Sequence, residues 1–587
     1  MKWRMGEIKG GGEVTELAVY PRLIQSLLSS RGVRTADEAE RFLRPDFVRD
    51  IHDPFLFRQM RVACERLWQA IEENEKIAVH GDYDADGICG SVLMTDVLRF
   101  LCEARGRDWR EMIVNYHPHR EHDGYGIRVG TIDRFAEQGV SLMITVDCGI
   151  SCADEIAHAT TKGIDTIVVD HHEFDPEKLP KCILLHPRLP EEVYPFKYLA
   201  AVGVAFKFAC GMLQFVREKG VSVPEGYEKW LMDLVSIATV TDVMPLVGEN
   251  RVLEKFGLKV LNKTRRVGLR ALIDVSGLKY GAMDTTSVGF AIGPRINAAS
   301  RMDHANAAVE TLLAMDESTA AVAAERLQEL NKARQKYTQE VYAAAYAMAL
   351  EQADKKALVV KGLGWLAGIV GLVAGKLLNE FGKPVFVFGD DGERMVGSGR
   401  AVGFNVVTAM ERAKEYLARF GGHPQACGLT IIGEENYTAF AESVWQYAEE
   451  VFGDAMPEST VELDGEVGLG EVTLELVEML DALAPFGEGN REPKLLLRNV
   501  EVSGVVPVGK NGSHVQVYVR NSVTGEELKM IGFYLAAKMK DYVIGTRVDV
   551  VVELGVNEWQ GRRTAQAKIV DVALTGAMIQ KTAMVAV

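Results

Sequence analysis

Three short apolar runs that each end in an aspartate constrain the fold more than any other feature of the sequence. The runs KIAVHGD, SLMITVD and IDTIVVD end at Asp82, Asp147 and Asp170. Each is followed by glycine or by a helical stretch, which is typical of buried parallel strands joined by crossover helices. Ligand sites in such sheets lie at the carboxyl ends of the strands. The sequence therefore predicts an α/β domain in which three acidic strand ends meet in one crevice.

The remaining pattern predicts a chain of several domains. Residues 317–356 contain no glycine or proline and predict one long helix, or two helices with a bend, bridging two domains. Near the C-terminus, apolar and polar residues alternate in VQVYV and RVDVVVEL, which predicts a small antiparallel barrel of the OB type. The predicted segments are a helical lead-in (1–70), an α/β catalytic domain (71–315), a connecting helix (316–356), a second α/β domain (357–450), an acidic connector (451–493) and the barrel (494–575).

The composition excludes several classes of protein. The 587 residues are 48% hydrophobic and 25% charged, as in ordinary globular domains. The formal net charge of −16 argues against a sequence-blind basic coat for nucleic acid, but it is compatible with a local basic patch. No run of 18 apolar residues predicts a membrane span, and the first residues scatter charges where a signal peptide needs an apolar core. We therefore expect a cytoplasmic protein.

The segment after the first run concentrates four possible metal ligands. His80, Asp82, Asp84 and Asp86 alternate in HGDYDADG, so an extended loop can turn them to one side. Apolar residues on both flanks place the segment against a core, which disfavours a solvated acidic turn. Carboxylates with an imidazole suit Mn²⁺ or Mg²⁺ better than Zn²⁺, which prefers thiolate and imidazole.

Three further acidic positions are weaker when taken singly. Asp147 can equally be a helix cap. The adjacent His171 and His172 follow a β-branched run, and their alternative is a buried structural pair. Asp242 lies in the apolar stretch IATVTDVMP, where a carboxylate needs a partner or a metal because its burial costs several kcal/mol.

Taken in order, these clusters resemble the four motifs of the DHH phosphoesterase family. DYDAD matches the first motif, the strand end at Asp147 the second, Asp170-His171-His172 the third and Asp242 the fourth. The resemblance implies two divalent metal ions, typically manganese with magnesium as the alternative, which activate water for in-line attack on phosphorus. It implies metal ligands at His80, Asp84, Asp86, Asp147, His171 and Asp242. The implied catalytic residues are Asp82, Asp84, Asp147, His171 and His172.

Segments outside this core resemble the RecJ exonuclease branch of the family. They are GPRINAASR at 293–301, FGGHPQA at 420–426, PFGEGN at 485–490, YHPHR at 116–120 and RGVRTADEAERFLRP at 31–45. The resemblance implies a DHH parallel-sheet domain and a DHHA1 α/β domain joined by the long helix, with a C-terminal OB-fold barrel. It also implies a 5′→3′ exonuclease that is specific for single-stranded DNA, releases 5′-mononucleotides and serves recombination and repair.

The same resemblance assigns substrate-binding residues. Arginines can hold phosphates in a bidentate manner, and the alternative for them is surface ion pairing. Two departures from the family pattern are Ser300, where glycine is usual, and Leu366, where histidine is common. The implied substrate-binding residues are Arg120, Arg295, Asn297, Arg301, Ser398, Arg400, Gly422 and His423.

The barrel offers cations and aromatic side chains that can bind a single strand. The aromatic residues equally fit core packing. The cations are Arg520, Lys529, Lys538, Lys540, Arg562 and Arg563, and the aromatic residues are Phe533, Tyr534 and Trp559.

Two other functions stay open at this point. A phosphodiesterase of short oligonucleotides or signalling dinucleotides would not need the barrel, and a non-enzymatic scaffold would not need an intact ligand set. The family resemblance implies a monomer whose partners are single-stranded DNA, a single-strand-binding protein and a helicase.

Overall fold

A computed structural model of the chain describes residues 2–6, 15–456, 460–509, 511–559, 561–576 and 579–581. It divides into a larger unit, residues 52–244 and 256–458, and a smaller unit, residues 1–51, 245–255 and 459–587. The described strands are β1 (Lys2–Met5), β2 (Lys76–Gly81), β3 (Ile113–Tyr116), β4 (Val140–Val146), β5 (Asp165–Val169), β6 (Ile183–Leu185), β7 (Leu358–Leu363), β8 (Val385–Asp390), β9 (Met395–Arg400), β10 (Arg419–His423), β11 (Ala426–Ile431), β12 (Thr460–Leu463), β13 (Gly465–Glu466), β14 (Leu495–Val508), β15 (His514–Arg520), β16 (Glu527–Gly532), β17 (Arg547–Trp559), β18 (Arg562–Leu574) and β19 (Ile579–Lys581).

Helices connect these strands in both units. The described α-helices are α1 (Arg22–Ser30), α2 (Ala36–Leu43), α3 (Met60–Glu73), α4 (Ala85–Ala104), α5 (Trp109–Met112), α6 (Val129–Glu137), α7 (Ala153–Thr161), α8 (Ala201–Glu218), α9 (Met232–Thr241), α10 (Gly248–Leu261), α11 (Val267–Val275), α12 (Thr285–Ser287), α13 (Gly293–Met302), α14 (Asn306–Leu313), α15 (Glu317–Glu351), α16 (Ala367–Phe381), α17 (Val406–Arg412), α18 (Glu434–Phe452), α19 (Leu474–Asp481) and α20 (Ala536–Met539). No helix in the described part of the chain is both long and apolar enough to cross a membrane.

The first sheet of the larger unit is fully parallel, as the three apolar runs predict. Its strand order is β3-β2-β4-β5-β6, and every neighbouring pair is parallel. One face packs on α6 and α7 through side chains such as Ala78, Phe135 and Ile156, and α4 and α8 pack on the sheet as well. Burial on both faces explains why these strands are continuous apolar runs rather than alternating ones.

The second sheet of the larger unit has the order β10-β11-β9-β8-β7, in which only β7 and β8 are parallel. The helix α15 runs for 35 residues and packs against α11 and α13 as well as α16 and β7. Val341, Ala345 and Ala349 on its last turns are buried against the second sheet. The helix therefore links the two α/β domains of this unit.

The smaller unit contains a closed five-stranded barrel. Its strands follow the cycle β14-β15-β16-β18-β17 and back to β14, and its core is lined by valines and leucines. The predicted OB barrel is confirmed, but the closing pair β16–β18 is parallel rather than antiparallel. Leu476, Val477 and Leu480 of α19 complete the barrel core. The segment predicted as an acidic connector (451–493) therefore contains a helix, α19, that is part of the smaller unit.

A small parallel sheet, β12-β1-β19, was not expected from the sequence. The prediction of a helical lead-in over residues 1–70 is wrong for Lys2–Met5. Trp3 in this strand is 4% exposed, and its indole N–H donates to Asp571 Oδ2 at 2.8 Å. The partner strands lie more than 450 residues away in the sequence, so nothing local could indicate the pairing.

Candidate active site

The ends of β2, β4 and β5 bring three acidic positions of the sequence together. The amide of Asp82 donates to Val146 O at 3.1 Å, and the amide of Asp147 donates to Val169 O at 3.0 Å. These bonds continue the parallel ladder by one residue beyond each strand. Asp147 has φ of 66°, a left-handed conformation that is uncommon for residues other than glycine and asparagine. The turn aims successive side chains into one crevice.

The first turn of α4 brings two more carboxylates to the same place. Asp84 caps the helix and accepts from the amides of Asp86 and Gly87. A side chain at Gly87 would place its Cβ 2.5 Å from Asp82 N, so only glycine allows the strand end and the helix to approach this closely. The Asp86 carboxylate accepts from the amides of Ala201 and Val202 at 2.7 and 2.8 Å, which fixes it against the start of α8.

The donor atoms of the predicted ligands form three overlapping groups. In each group, one ligand atom from every residue lies within 4.8 Å of the others. His171 Nε2 lies 3.3 Å from Asp147 Oδ1, 3.5 Å from Asp242 Oδ2 and 3.7 Å from Asp86 Oδ2. The groups are Asp82 with Asp84 and Asp147, Asp86 with His171 and Asp242, and Asp147 with His171 and His172.

Several of these donor atoms are buried without a hydrogen-bond partner. They are Asp82 Oδ1, Asp147 Oδ1, His171 Nε2 and Asp242 Oδ2. An unsatisfied buried polar atom is costly, and a buried carboxylate is normally paired or bound to a metal. Oxygen donors with one or two imidazoles are the ligands that Mn²⁺ and Mg²⁺ accept. The donor set therefore fits divalent metal ions.

Burial and mutual repulsion shift the protonation of this cluster. Burial, followed by the charge of Asp84, raises the pKa of Asp86 to about 7. Burial and the neighbouring aspartates raise the pKa values of Asp147 and Asp242 well above the ordinary range. Burial, with the charge of His172, lowers the pKa of His171 to about 3, so this imidazole is neutral and able to ligate. A bound cation would offset the repulsion that these shifts report.

A separate hydrogen-bond chain orients His172. Asp170 Oδ1 accepts from His172 Nδ1 at 2.9 Å, and the Tyr125 hydroxyl lies 3.1 Å from the same nitrogen. Burial opposes ionisation of Asp170, but its hydrogen bonds hold its pKa below the ordinary value. Burial also opposes protonation of His172, but the bond to Asp170 raises its pKa to about 9. His172 is therefore cationic at neutral pH and faces Asp147, with 3.5 Å from its Nδ1 to Asp147 Oδ1.

The structure does not bring His80 into the donor groups. Its ring lies between Tyr116 and Phe135, with centroid distances of 5.2 and 6.5 Å, and its Nδ1 is 3.5 Å from Cys148 Sγ. His80 shares the face of β2 that packs on α6, whereas the ligand carboxylates follow the strand end.

A group of arginines lies beside the carboxylates. The Arg120 guanidinium stacks over the Tyr83 ring at 4.0 Å, and Arg301 donates to the Gly368 carbonyl. Burial, followed by the charges of Arg120 and Arg334, lowers the pKa of Arg301 to about 9. A buried guanidinium that is repelled by its neighbours is a binding site for an anion.

The other predicted arginines make neutral contacts. Arg400 Nη1 donates to Ser398 Oγ and to Gly399 O, both at 2.7 Å. Arg295 donates to Gln328 Oε1 at 2.8 Å and to Ala291 O at 2.7 Å. Arg400 packs close to the second turn of α16, because a Cβ at Gly371 would lie 3.1 Å from Arg400 Nη2. Burial lowers the pKa of Arg400 as well.

Of the four other predicted substrate-binding residues, Asn297, Ser398 and Gly422 have structural contacts, and His423 is exposed. Asn297 Oδ1 accepts from the amide of Ala85 at 2.9 Å, so it holds the start of α4. Ser398 Oγ donates to Cys427 O at 2.9 Å. Gly422 has φ of 141°, and a Cβ there would lie 2.4 Å from Ala426 O. His423 is exposed at the end of β10.

Sequence reasoning missed Arg334 on α15. Its Nε is buried without a partner, and one Nη donates to Asn331 Oδ1 at 2.9 Å on the same helix. Its charge acts on Arg301, which places it in the same electrostatic group. In the sequence, Arg334 is one of many charges on a long polar helix, and only the structure distinguishes it from the solvated ones.

Several of the cations on the barrel form ion pairs with acidic residues, unlike the arginines beside the carboxylate cluster. Arg520 contacts Glu501, Lys538 contacts Asp571, and Arg563 Nη1 lies 2.7 Å from Glu478 Oε1. Phe533 and Tyr534 are 49% and 79% exposed and are therefore available for stacking. The side chain of Trp559 lies outside the described residues.

Comparison with known families defines the class of protein first. The models of the DHH family N-terminal domain, the DHHA1 domain and the RecJ OB domain match residues 76–239, 354–450 and 463–571. The parallel sheet, the second α/β domain and the barrel lie in these three segments in the same order. The fold and the carboxylate cluster are thus those of a DHH-family protein with an OB barrel.

Comparison with individual proteins then gives the particular family. The chain is 35% identical over 586 residues to the single-stranded-DNA-specific exonuclease RecJ of Bacillus subtilis, covering 98% of this chain and 71% of that protein. It is 30% identical over 577 residues to the protein of that name from Escherichia coli, covering 94% and 95%. The chain belongs to the RecJ exonuclease family, as its sequence motifs predict.

Solved structures agree with this assignment. The Thermus thermophilus RecJ structure in complex with Mn²⁺ superposes with a TM-score of 0.80 at 27% identity, covering 99% of this chain and 81% of that one. The structure from the same organism in complex with Mg²⁺ has a TM-score of 0.73 at 27% identity, covering 98% and 79%. The predicted α/β architecture with an OB barrel is therefore confirmed.

Proposed function

We propose that this chain is a single-stranded-DNA-specific exonuclease that hydrolyses phosphodiester bonds in the 5′→3′ direction, releases 5′-mononucleotides and serves DNA recombination and repair. One observation carries the proposal: a buried carboxylate–histidine cluster lies beside a buried group of arginines, and both groups contain buried polar atoms that have no hydrogen-bond partner. The first fits divalent cations, and the second fits a phosphate. A phosphodiester substrate positioned by cations on one side and guanidiniums on the other meets both requirements.

The proposal includes two divalent metal ions, with manganese preferred and magnesium as the alternative. Relatives solved with Mn²⁺ and with Mg²⁺ support the choice of element. When bound, the cations supply Lewis-acid activation of water and neutralise charge on the phosphate. Asp147 belongs to two of the three donor groups, which suits a ligand shared between two ions. The proposed ligands are Asp82, Asp84, Asp86, Asp147, His171 and Asp242.

The protein's own groups position the substrate in this proposal. His172 is held by Asp170 and Tyr125, and because it is cationic its second ring nitrogen also carries a proton for a phosphate oxygen. Arg120, Arg301 and Arg400 would bind the terminal 5′-phosphate, whose extra negative charge distinguishes it from an internal phosphodiester.

Two features support this function over the alternatives. The ligand set is intact, which a non-enzymatic scaffold would not require. The barrel has exposed aromatic residues, which a dinucleotide phosphodiesterase would not require. We further infer a cytoplasmic monomer that acts with a single-strand-binding protein and a helicase, on the family resemblance alone.

End-labelled DNA tests the proposed activity. The chain and its Asp147→Ala variant are incubated with Mn²⁺ and single-stranded DNA labelled at the 5′ or the 3′ end, with duplex DNA as the control. We expect 5′-mononucleotides first, from single strands only and with the unmodified chain only. Equal activity of the variant would refute the proposed centre. Cleavage of dinucleotides without cleavage of long strands would assign the chain to the small-substrate class.

A further inference from the structure

One exposed aromatic residue lies on a turn that packs against the helix ending at Asp242 and has no role in the proposed function. Phe290 is 83% exposed, although Val288 and Ile292 on the same turn are fully buried. The turn Val288–Ile292 is π-helical, and such turns occur frequently at functional sites. The backbone therefore directs one large apolar side chain into solvent while the neighbouring residues hold the turn in the core.

Close packing joins this turn to the helix that carries Asp242. A Cβ at Gly293 would lie 2.0 Å from Thr241 Cγ2, so the glycine backbone packs directly on the Thr241 side chain. A Cβ at Gly289 would lie 3.6 Å from Val240 Cγ1. Asp242, a proposed metal ligand, follows Thr241 directly. Phe290 therefore lies on a turn that packs against the end of α9, immediately before this ligand.

A second exposed apolar residue follows the metal ligand in the sequence. Val243 is 65% exposed and has φ of 56°, which is unusual for a β-branched residue. It follows Asp242 directly. The metal ligand is therefore flanked by two exposed apolar side chains, one on each of two packed elements.

The other end of the helical segment is also fixed to the cluster. Arg295 donates to Ala291 O at 2.7 Å, next to Phe290. Two residues further, Asn297 holds the amide of Ala85, which lies between Asp84 and Asp86. The π-helical turn that carries Phe290 continues directly into α13, which carries Asn297 and Arg301.

We propose that Phe290 is a stacking platform for one nucleobase of the strand whose phosphate is held at the metal cluster. This inference rests on the proposed function. A phenyl ring stacks on any base and has no hydrogen-bonding group to select one, which suits an enzyme that degrades strands of any sequence. The platform would fix the register of the strand and leave the chemistry to the carboxylates.

The test measures binding of 5′-phosphorylated single-stranded oligonucleotides in the Asp147→Asn background, which prevents degradation. Each oligonucleotide carries one abasic residue at a successive position. We expect one position at which the missing base weakens binding about tenfold, as for loss of a stacked base. Phe290→Ala should weaken binding of the intact oligonucleotide by a similar factor and remove the sensitivity to that position.

Two further variants separate stacking from apolar packing. Phe290→Trp should restore tight binding and the sensitivity to the abasic position, whereas Phe290→Leu should restore neither. Val322→Ala, at a 74% exposed position on α15, serves as the matched surface control and should bind as the background protein does. Manganese binding, measured with Asp147 intact, shows whether Phe290→Ala disturbs Asp242. If Phe290→Ala weakens manganese binding, the Phe290→Leu variant, which retains a large apolar side chain, replaces Phe290→Ala in the comparison of DNA binding.

The outcomes distinguish this inference from the proposed function. Failure of the background protein to bind single strands would overturn both. Three results would overturn the stacking platform alone. The Phe290→Ala variant could bind as tightly as the background protein, or it could keep the sensitivity to the abasic position. The third such result is that Phe290→Leu restores tight binding.

Discussion

The carboxylate cluster and the arginine group of the larger unit are both buried and carry opposite charge, but they arise differently in the sequence. The carboxylates follow three parallel strand ends and one helix end, where local pattern already places them together. The arginines come from a loop, from α13, from α15 and from β9, so only the tertiary fold brings them together. The comparison teaches that local sequence patterns are enough to predict the carboxylate cluster, whereas the arginine group depends on the tertiary fold.

The largest expected effect comes from removing the shared carboxylate. Asp147→Asn keeps a residue that tolerates the left-handed backbone at this position. It should reduce the rate of DNA hydrolysis more than about 1000-fold, beyond the 10–100-fold typical of losing an outer-shell partner. In EDTA the same variant should raise the Tm, because one buried like charge is removed. A lowered Tm in EDTA would show that Asp147 is not repelled by its neighbours.

The arginine group should respond next most strongly, and in binding rather than in metal affinity. Arg301→Ala should weaken binding of 5′-phosphorylated single strands about 100-fold, within the range for truncating a buried charged contact. Strands with a 5′-hydroxyl should lose less, because they lack the terminal dianion. Equal losses for the two strands would contradict recognition of the terminal phosphate, and unchanged manganese affinity serves as the control.

Arg334 provides a test on a residue that the sequence did not reveal. Arg334→Ala should weaken binding of single strands about tenfold, as for losing one charge-assisted hydrogen bond. Arg326, on the same helix, pairs with Asp303 at 2.6 Å and is 53% exposed, so Arg326→Ala is the matched control and should bind normally. Similar binding by both variants would remove Arg334 from the phosphate site.

The pH dependence of stability should reverse when metal is added. The pKa of Asp86, about 7 in the folded chain, exceeds its ordinary value, so the metal-free folded state binds more protons than the unfolded state. Stability in EDTA should therefore rise as pH falls from about 7 towards 4, relative to Asp86→Asn, by up to about 1.4 kcal/mol per pH unit. With Mn²⁺ it should fall over this range, because protons compete with the cation. Chemical denaturation at several pH values measures both slopes, and the same sign with and without metal would contradict the account.

The smallest effect is expected at His80. His80→Asn should change manganese affinity less than about twofold, because the ring lies among Tyr116, Phe135 and Cys148 rather than among the ligand carboxylates. Loss of this buried ring should instead lower the free energy of unfolding by about 1–3 kcal/mol. Isothermal titration with Mn²⁺ and denaturant unfolding measure the two quantities. A large loss of affinity would return His80 to the ligand set.

These contrasts show what sequence can predict here. The strand ends at Asp82, Asp147 and Asp170 were predictable, because parallel strands buried on both faces are continuous apolar runs and their carboxyl ends share one edge. The pairing of Lys2–Met5 was not, because its partners are distant in the chain. The position of His80 was not, because its ring packs among Tyr116, Phe135 and Cys148, which come from other segments of the sequence.

The substrate side was predictable only in part, and for a different reason. Arg301 and Arg400 could be assigned through motifs that resemble a family. Arg334 and Phe290 lie in segments that read as an ordinary polar helix and an ordinary apolar helix. The buried Nε of Arg334, which has no hydrogen-bond partner, and the exposed ring of Phe290 are both consequences of tertiary packing.

Anomalous diffraction from crystals grown with Mn²⁺ and a 5′-phosphorylated oligonucleotide tests the central claim most directly. We predict manganese peaks bounded by the six proposed ligands, with the terminal phosphate on Arg301. These ligands are Asp82, Asp84, Asp86, Asp147, His171 and Asp242. Manganese bound elsewhere, or a 5′-phosphate placed away from the arginine group, would contradict the pairing of metal centre and phosphate site.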